Sequence, residues 1–375
     1  MGGVTVRGVA MREVLIRIAL VAGSCVLVLL VAEGVLRVHA AVAARGAGSV
    51  EEQLERSERS ALGDAEDRRF GLRGLVRASR HPGVVYELKP GLRGTFQGRR
   101  IRTSSQALRD REYEPRKSTG TVRIVGLGDS VMFGWGVDRH ETYLEVLERR
   151  LNQDVGGGRR FEVLNFAVPG YNTAMEVAAF EHKALAFAPD VVILHFVDND
   201  LRLPQFMLAP RDVRTWKRSY LFELIGRRPG IRPSLAEDAA ADGLVAHGLE
   251  ELPPEDRQEV RERHRPLAGE AGFRRAVARL ADLTREAGIE VLVLRLSDQN
   301  AYRELVDEAI ARHGFHAVTA AGYFQAHLRD SVKRSGRDAW AETFWVSDRD
   351  HHPNALGHRL YAEAIWNALG EIGVR

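Results

Sequence analysis

Apolar residues are distributed along the chain in three regimes. From Val14 to Leu36 they are nearly continuous, and Ile18 to Ala32 carries no charge. A helix over such a run is long enough to cross a bilayer core. Arg17 and Glu33 interrupt it near the ends, where long side chains reach the interface. Residues 38–80 are mostly polar and rich in Arg, Glu, Ser and Gly, so they bury little apolar surface and read as a tether. Residues 81–120 place Pro82, Pro90-Gly91, Gly94 and Gly98 between short β-prone runs, which predicts a β-hairpin extension.

From 121 to 372 a strand pattern alternates with a helix pattern. Val122–Leu127, Phe161–Ala167, Val191–Val197 and Ile289–Leu296 are apolar, β-branched runs. Tyr143–Leu151 brings Leu144, Leu147 and Leu151 to one helical face. Asn172 or Thr173 can cap a helix reaching about Ala186, and Gly288 ends one over 272–287. Further helices are expected near 300–312 and 355–369. Near-continuous apolar strands alternating with helices imply an α/β domain, a three-layer α/β/α stack on a central parallel sheet. Residues 201–270 interrupt the rhythm. They are read as an insertion, either a solvated helical segment or a lid.

Charge and composition narrow the picture. The 375 residues carry a formal net charge of +3, and no basic run is interleaved with aromatics, so nucleic acid is not an expected partner. The single cysteine, Cys25, excludes an intrachain disulfide and lies inside the apolar run. Leu20 to Cys25 loosely matches a lipoprotein cleavage box, but the apolar residues continue past it through Leu30. Arg7, Arg12 and Arg17 precede the run, which predicts a cytoplasmic N-terminus (residues 1–13), a membrane anchor over 14–37 and an extracytoplasmic remainder. The alternative is a secreted protein, cleaved near Ala41-Val42-Ala43. An uncleaved anchor is preferred because the run ends in Glu33-Gly34-Val35-Leu36-Arg37, short of that site.

Candidate chemistry gathers where strands end. Gly128-Asp129-Ser130 follows the first strand of the domain, and in open α/β sheets ligands bind beyond the C-terminal strand ends. The dinucleotide reading of Gly126 and Gly128 lacks its third small residue, since position 131 is Val, and no Gly-Lys-Ser/Thr phosphate loop follows. Gly170 follows the second strand and can offer a backbone N–H. Asn199, in Val197-Asp198-Asn199-Asp200, follows the third and offers a side-chain amide. Asp348-Arg349-Asp350-His351-His352-Pro353 precedes the last helix and supplies imidazoles and carboxylates. Each piece taken alone reads as a turn or a helix cap. Together they supply a nucleophile, a base, an orienting acid and oxyanion donors.

In these blocks the chain resembles the SGNH, or GDSL-type, hydrolase family over roughly 121–370, outside the 201–270 insertion. The nucleophile block matches Gly128-Asp129-Ser130, the glycine block Gly170, and the asparagine block Asn199-Asp200, with Val197 where glycine is usual. His352 before Pro353 matches the family histidine, with Asp350 as partner. An Asp-x-x-His reading instead pairs Asp348 with His351. The resemblance implies a flavodoxin-like fold and no cofactor or metal. It implies Ser130 as nucleophile, His352 as base and Asp350 as its orienting acid. The N–H groups of Ser130 and Gly170 and the Asn199 amide would form the oxyanion hole, with Asp129, Asp348 and His351 as further candidates. It implies a serine esterase acting on an ester or acylated carbohydrate substrate. The alternatives are an O-acyltransferase using the same residues, a metal hydrolase built on Asp348, Asp350, His351 and His352, and a non-catalytic carbohydrate-binding scaffold.

Overall fold

The computed structural model describes residues 5–46, 69–155, 158–202, 262–296, 302–335, 343–347 and 350–375. Most of the 201–270 insertion, and Asp348, therefore lie outside the described residues. The N-terminal helix belongs to one compact unit and the α/β fold to another.

In the first unit, α1 runs Thr5–Gly46. Its segment Leu15–Val38 is long and apolar enough to cross a membrane, and none of it is buried. Leu20, Val21, Leu27, Val28 and Leu30 are all exposed, an arrangement that suits lipid rather than water. Three of its polar side chains bond within the helix itself. Ser24 Oγ donates to the Leu20 carbonyl at 2.8 Å. Arg37 pairs with Glu33 one turn away, also at 2.8 Å.

The second unit opens with small elements: β1 (Arg69–Phe70), α2 (Leu72–Leu75), β2 (Val76–Ala78), β3 (Tyr86–Leu88), β4 (Arg93–Phe96) and β5 (Arg99–Arg102). β4 and β5 form the expected antiparallel hairpin, and β2 pairs with β3. Then follow β6 (Thr121–Leu127), α3 (Ser130–Phe133), α4 (Tyr143–Asp154), β7 (Arg160–Asn165), α5 (Thr173–His182) and β8 (Val191–His195). The remainder is α6 (Gly269–Ala287), β9 (Glu290–Arg295), α7 (Arg303–His313), β10 (His316–Thr319), α8 (Ala321–Ser335), β11 (Trp345–Ser347), β12 (Asp350–Pro353) and α9 (Ala355–Glu371).

The central sheet has five parallel strands in the order β7-β6-β8-β9-β10. Its first strand lies inside the sheet. The chain steps to one side for β7, then crosses back to β8 and continues outward. Connections on either side of β6 therefore leave in opposite directions, which opens a crevice beyond the C-terminal ends of β6 and β8. Both sheet faces are covered. Ile124, Ile193, Leu292 and Leu294 share one core with Leu144 and Leu147 of α4, Phe324 of α8 and Ile365 of α9. Val125, Leu127, Val192, Leu194, Val291 and Val293 share the other with Phe180 of α5, Leu280 of α6 and Val306 of α7. Burial on both faces is why the strands read as continuous apolar runs rather than alternating ones.

Several boundaries differ from the sequence reading, among them the end of β8 at His195 rather than Val197, and two have a visible local cause. β7 stops at Asn165, whose side chain accepts from the Ala167 N–H at 3.0 Å and turns the backbone out of the ladder. α5 stops at His182, and a 3₁₀ turn follows over Ala184–Phe187, closed by Ala188 at φ 48°.

Arg123 is fully buried in the middle of β6. Its guanidinium donates to Glu162 Oε2 at 2.6 and 3.0 Å and to the carbonyls of Pro115, Phe187 and Glu114. This cation ties the extension to two sheet strands. Arg123→Met should leave Glu162 Oε2 without its buried cation, with only the longer Arg160 pair at 3.7 Å remaining to that carboxylate, and three carbonyls short of a donor. The expected loss is about 3 kcal/mol or more in urea unfolding; a loss under about 1 kcal/mol would contradict that structural role.

Candidate active site

The nucleophile candidate stands on a tight turn. β6 ends at Leu127, and α3 begins at Ser130, with Asp129 as its N-cap accepting from the Val131 N–H at 2.8 Å. Gly128 is required by close approach: a Cβ there would meet Met132 Cβ at 2.7 Å, so any larger residue would push α3 off the strand end. Beyond α3 the chain bends through Gly134. Arg109 from the extension holds this bend, donating to the carbonyls of Phe133 at 2.8 Å and Val137 at 2.6 Å, and to that of Gly134. Burial lowers the Arg109 pKa to about 10, so it remains a cation at neutral pH.

The second half comes from β12, which pairs antiparallel with β11. Sequence analysis predicts no strand over Asp350–Pro353; the structure forms one there. Alternation along that strand sends Asp350 and His352 to one side and His351 to the other. His352 Nε2 lies 2.8 Å from Ser130 Oγ. His352 Nδ1 lies 2.6 Å from Asp350 Oδ1. Bonding of Nδ1–H to the carboxylate leaves the Nε2 lone pair facing the serine hydroxyl. Burial pushes the Asp350 carboxyl up, but hydrogen bonds from His352, and one from Trp135, outweigh it and hold the group below its ordinary range. His351 instead stacks on Trp345, ring centroids 3.9 Å apart.

The oxyanion candidates lie at the neighbouring strand ends. Gly170 sits at φ 78° in a turn closed by Tyr171 N–H to the Val168 carbonyl at 3.1 Å. Val168 in turn donates to the Gly128 carbonyl at 3.1 Å, so this turn lies alongside the Ser130 turn. Tyr86 of the extension secures it, its hydroxyl donating to the Pro169 carbonyl at 2.9 Å. Asn199 is exposed, and its Nδ2 donates to Asp129 Oδ2 at 3.1 Å. That same oxygen lies 3.2 Å from Ser130 Oγ. Val197 does not need to be glycine, because it is not among the described residues with positive φ. Its N–H donates to Asp200 Oδ2 at 3.2 Å, and the turn closes with Asp200 N–H to its carbonyl at 3.0 Å. Among the described residues, no group of three His, Cys, Asp or Glu is arranged to hold a metal ion.

Residues 127–360, more than half of the chain, match the GDSL-like Lipase/Acylhydrolase family. The chain belongs to that family. It is accordingly an ester-bond hydrolase. No curated protein matches it. Solved structures of similar fold include TesA at 14% identity, TM-score 0.39, covering 67% of this chain and 99% of that one. They also include LAE5, an alpha/beta hydrolase from the metagenome of Lake Arreo, Spain, at 16% identity, TM-score 0.42, covering 66% of this chain and 95% of that one. A third is Axe2, an acetylxylan esterase from Geobacillus stearothermophilus, at 16% identity, TM-score 0.39, covering 70% of this chain and 98% of that one.

Around the GDSL serine the structure adds residues that sequence reasoning passed over. Arg109 lies before the family match, in a stretch read only as a hairpin. Trp135 carries one signal, its place between Gly134 and Gly136, both of positive φ. Glu176 sits on α5 among apolar residues and gave no signal. It is fully buried, and neither carboxyl oxygen has a hydrogen-bond partner among the described residues. Burial raises its pKa well above the carboxylate range, and the neighbouring Asp200 and Asp129 raise it further. Asp200 is raised too, first by burial and then by Asp129. The folded chain therefore keeps protons here that the unfolded chain releases. Stability falls as pH rises from the ordinary Glu range toward the raised folded value. Glu176→Gln keeps the shape without the charge. Its melting temperature relative to the parent should gain little near pH 4 and progressively more toward pH 9; a pH-independent difference would refute the assignment.

Proposed function

We propose that this hydrolase works through an acyl-enzyme on Ser130, with His352 as general base and Asp350 orienting it. The observation that carries the reading is the continuous path from Ser130 Oγ through His352 to Asp350, at 2.8 and 2.6 Å. His352 Nε2 takes the hydroxyl proton as Oγ attacks the ester carbonyl. The carbonyl electrons move onto oxygen, and the N–H groups of Ser130 and Gly170 and the Asn199 amide donate hydrogen bonds to that oxyanion. In the resting protein one hydrogen of that amide is engaged by Asp129, which leaves the second for the oxyanion. His352 then returns the proton to the leaving alkoxide, and water, activated the same way, releases the acid.

The proposed substrate is an O-acylated carbohydrate of the cell envelope. The apolar helix Leu15–Val38 supports a membrane location. Arg7, Arg12 and Arg17 before it favour a cytoplasmic N-terminus, which places the hydrolase outside.

Aryl acetate hydrolysis tests the machinery. Ser130→Ala and His352→Ala should each lower kcat roughly 10⁴-fold or more. Asn199→Ala should lower it about 10²-fold with little change in KM. Retention of parental turnover in Ser130→Ala would overturn the mechanism. Repeating the assay with an added polysaccharide tests the acceptor: release of free acetate at an unchanged rate fits a hydrolase, whereas acetate appearing on the polymer marks an acyltransferase.

A further inference from the structure

We infer that Trp135 is a positioning residue for the imidazole–carboxylate pair, holding Asp350 through its indole N–H and His352 through its ring face. The inference rests on the mechanism proposed above. Asp350 divides its bonds between two oxygens. Oδ1 accepts from His352 Nδ1 at 2.6 Å and from the His352 backbone N–H at 3.2 Å. Oδ2 accepts from Trp135 Nε1 at 3.0 Å, its one hydrogen bond among the described residues. Without that donor the carboxylate is fixed at one oxygen and free to turn about its last side-chain bond.

The same indole lies against the histidine. The Trp135 and His352 rings stack with centroids 4.8 Å apart and planes 14° from parallel. Trp135 is itself fixed. Phe96 packs edge-on against it at 4.7 Å and 81°. Its backbone N–H donates to the Ser130 carbonyl at 3.0 Å. Gly134 and Gly136 flank it at φ 88° and 74°, and a Cβ at Gly134 would strike Thr142 Cγ2 at 2.4 Å. One residue thus touches the nucleophile's main chain, the imidazole and the carboxylate. A tryptophan needed only for volume would require none of these polar contacts.

The test must remove the N–H and keep the shape. Benzothienylalanine at position 135 in the full-length protein does so, with sulfur in place of N–H, and Trp135→Phe serves as the genetic counterpart. Aryl acetate turnover is followed across pH. The groups around His352 are Asp350 on its own strand, Ser130 from the nucleophile turn, with Asp129 one hydrogen bond behind that hydroxyl, and His358 from α9, which burial keeps neutral with a pKa of about 3. Of these, Trp135 hydrogen-bonds through its side chain to Asp350. A carboxylate relieved of one donor holds the imidazolium more strongly. The acid limb of kcat should therefore move up by about half a pH unit. kcat itself should fall about tenfold at unchanged KM, as for loss of one hydrogen bond to a charged group. Parental kcat and acid limb in the benzothienylalanine protein, or a change in KM alone, would overturn the inference. Turnover in the parent that survives Ser130→Ala would instead overturn the underlying mechanism, and the positioning role with it.

Discussion

The site depends on one hydrogen bond, 2.8 Å from Ser130 Oγ to His352 Nε2, between residues 222 positions apart in the chain. Nothing local brings them together. The sheet order does, because crossing from β7 over β6 to β8 leaves the β6 end uncovered. α9 then packs beside α4, and the β11–β12 hairpin that precedes it arrives over that opening. A serine at the end of an outer strand would have no such crevice. A histidine one position earlier on β12 would face Trp345 instead. The geometry thus follows from two discrete facts, a strand order and a strand parity, and neither tolerates a slip of one step.

Residues ahead of the family match are part of this construction. Arg109 clamps the bend after α3, Tyr86 holds the turn bearing Gly170, and Phe96 wedges Trp135. Each acts on backbone or on an aromatic ring, not on the reacting atoms. Their chemistry is that of support, a buried cation on carbonyls and rings packed edge to face. The extension over residues 69–120 is therefore more than a spacer, since it braces two of the turns that carry candidate site residues.

Much of the fold was legible because strands buried on both faces must be apolar throughout. β6, β7, β8 and β9 all stood out on that basis. β10 did not, since only Val318 of its four residues is buried and the run His316-Ala317-Val318-Thr319 carries little contrast. β12 was hidden for another reason: its residues are polar because they carry the candidate chemistry, so no apolar run marked it as a strand. In the candidate site, Ser130, Gly170 and Asn199 stand out by their places after strands, and His352 by its place before Pro353 and the last helix. The choice between His351 and His352 needed strand parity, which requires knowing that the segment is a strand. Arg123 was hidden inside an apolar run, and Glu176 on an apolar helix; their partners lie far off in sequence, so no spacing rule marks them. The described residues include one helix fit to cross a membrane, at the position the apolar run had indicated.

The proposed activation of Ser130 is tested most directly by covalent capture. Full-length protein treated with a fluorophosphonate and digested should carry the phosphonyl mass on the peptide containing Ser130. His352→Ala, which leaves that hydroxyl in place without its base, should remain unmodified on the same timescale. A folded parent that stays unlabelled, or label found on another serine, would contradict the account.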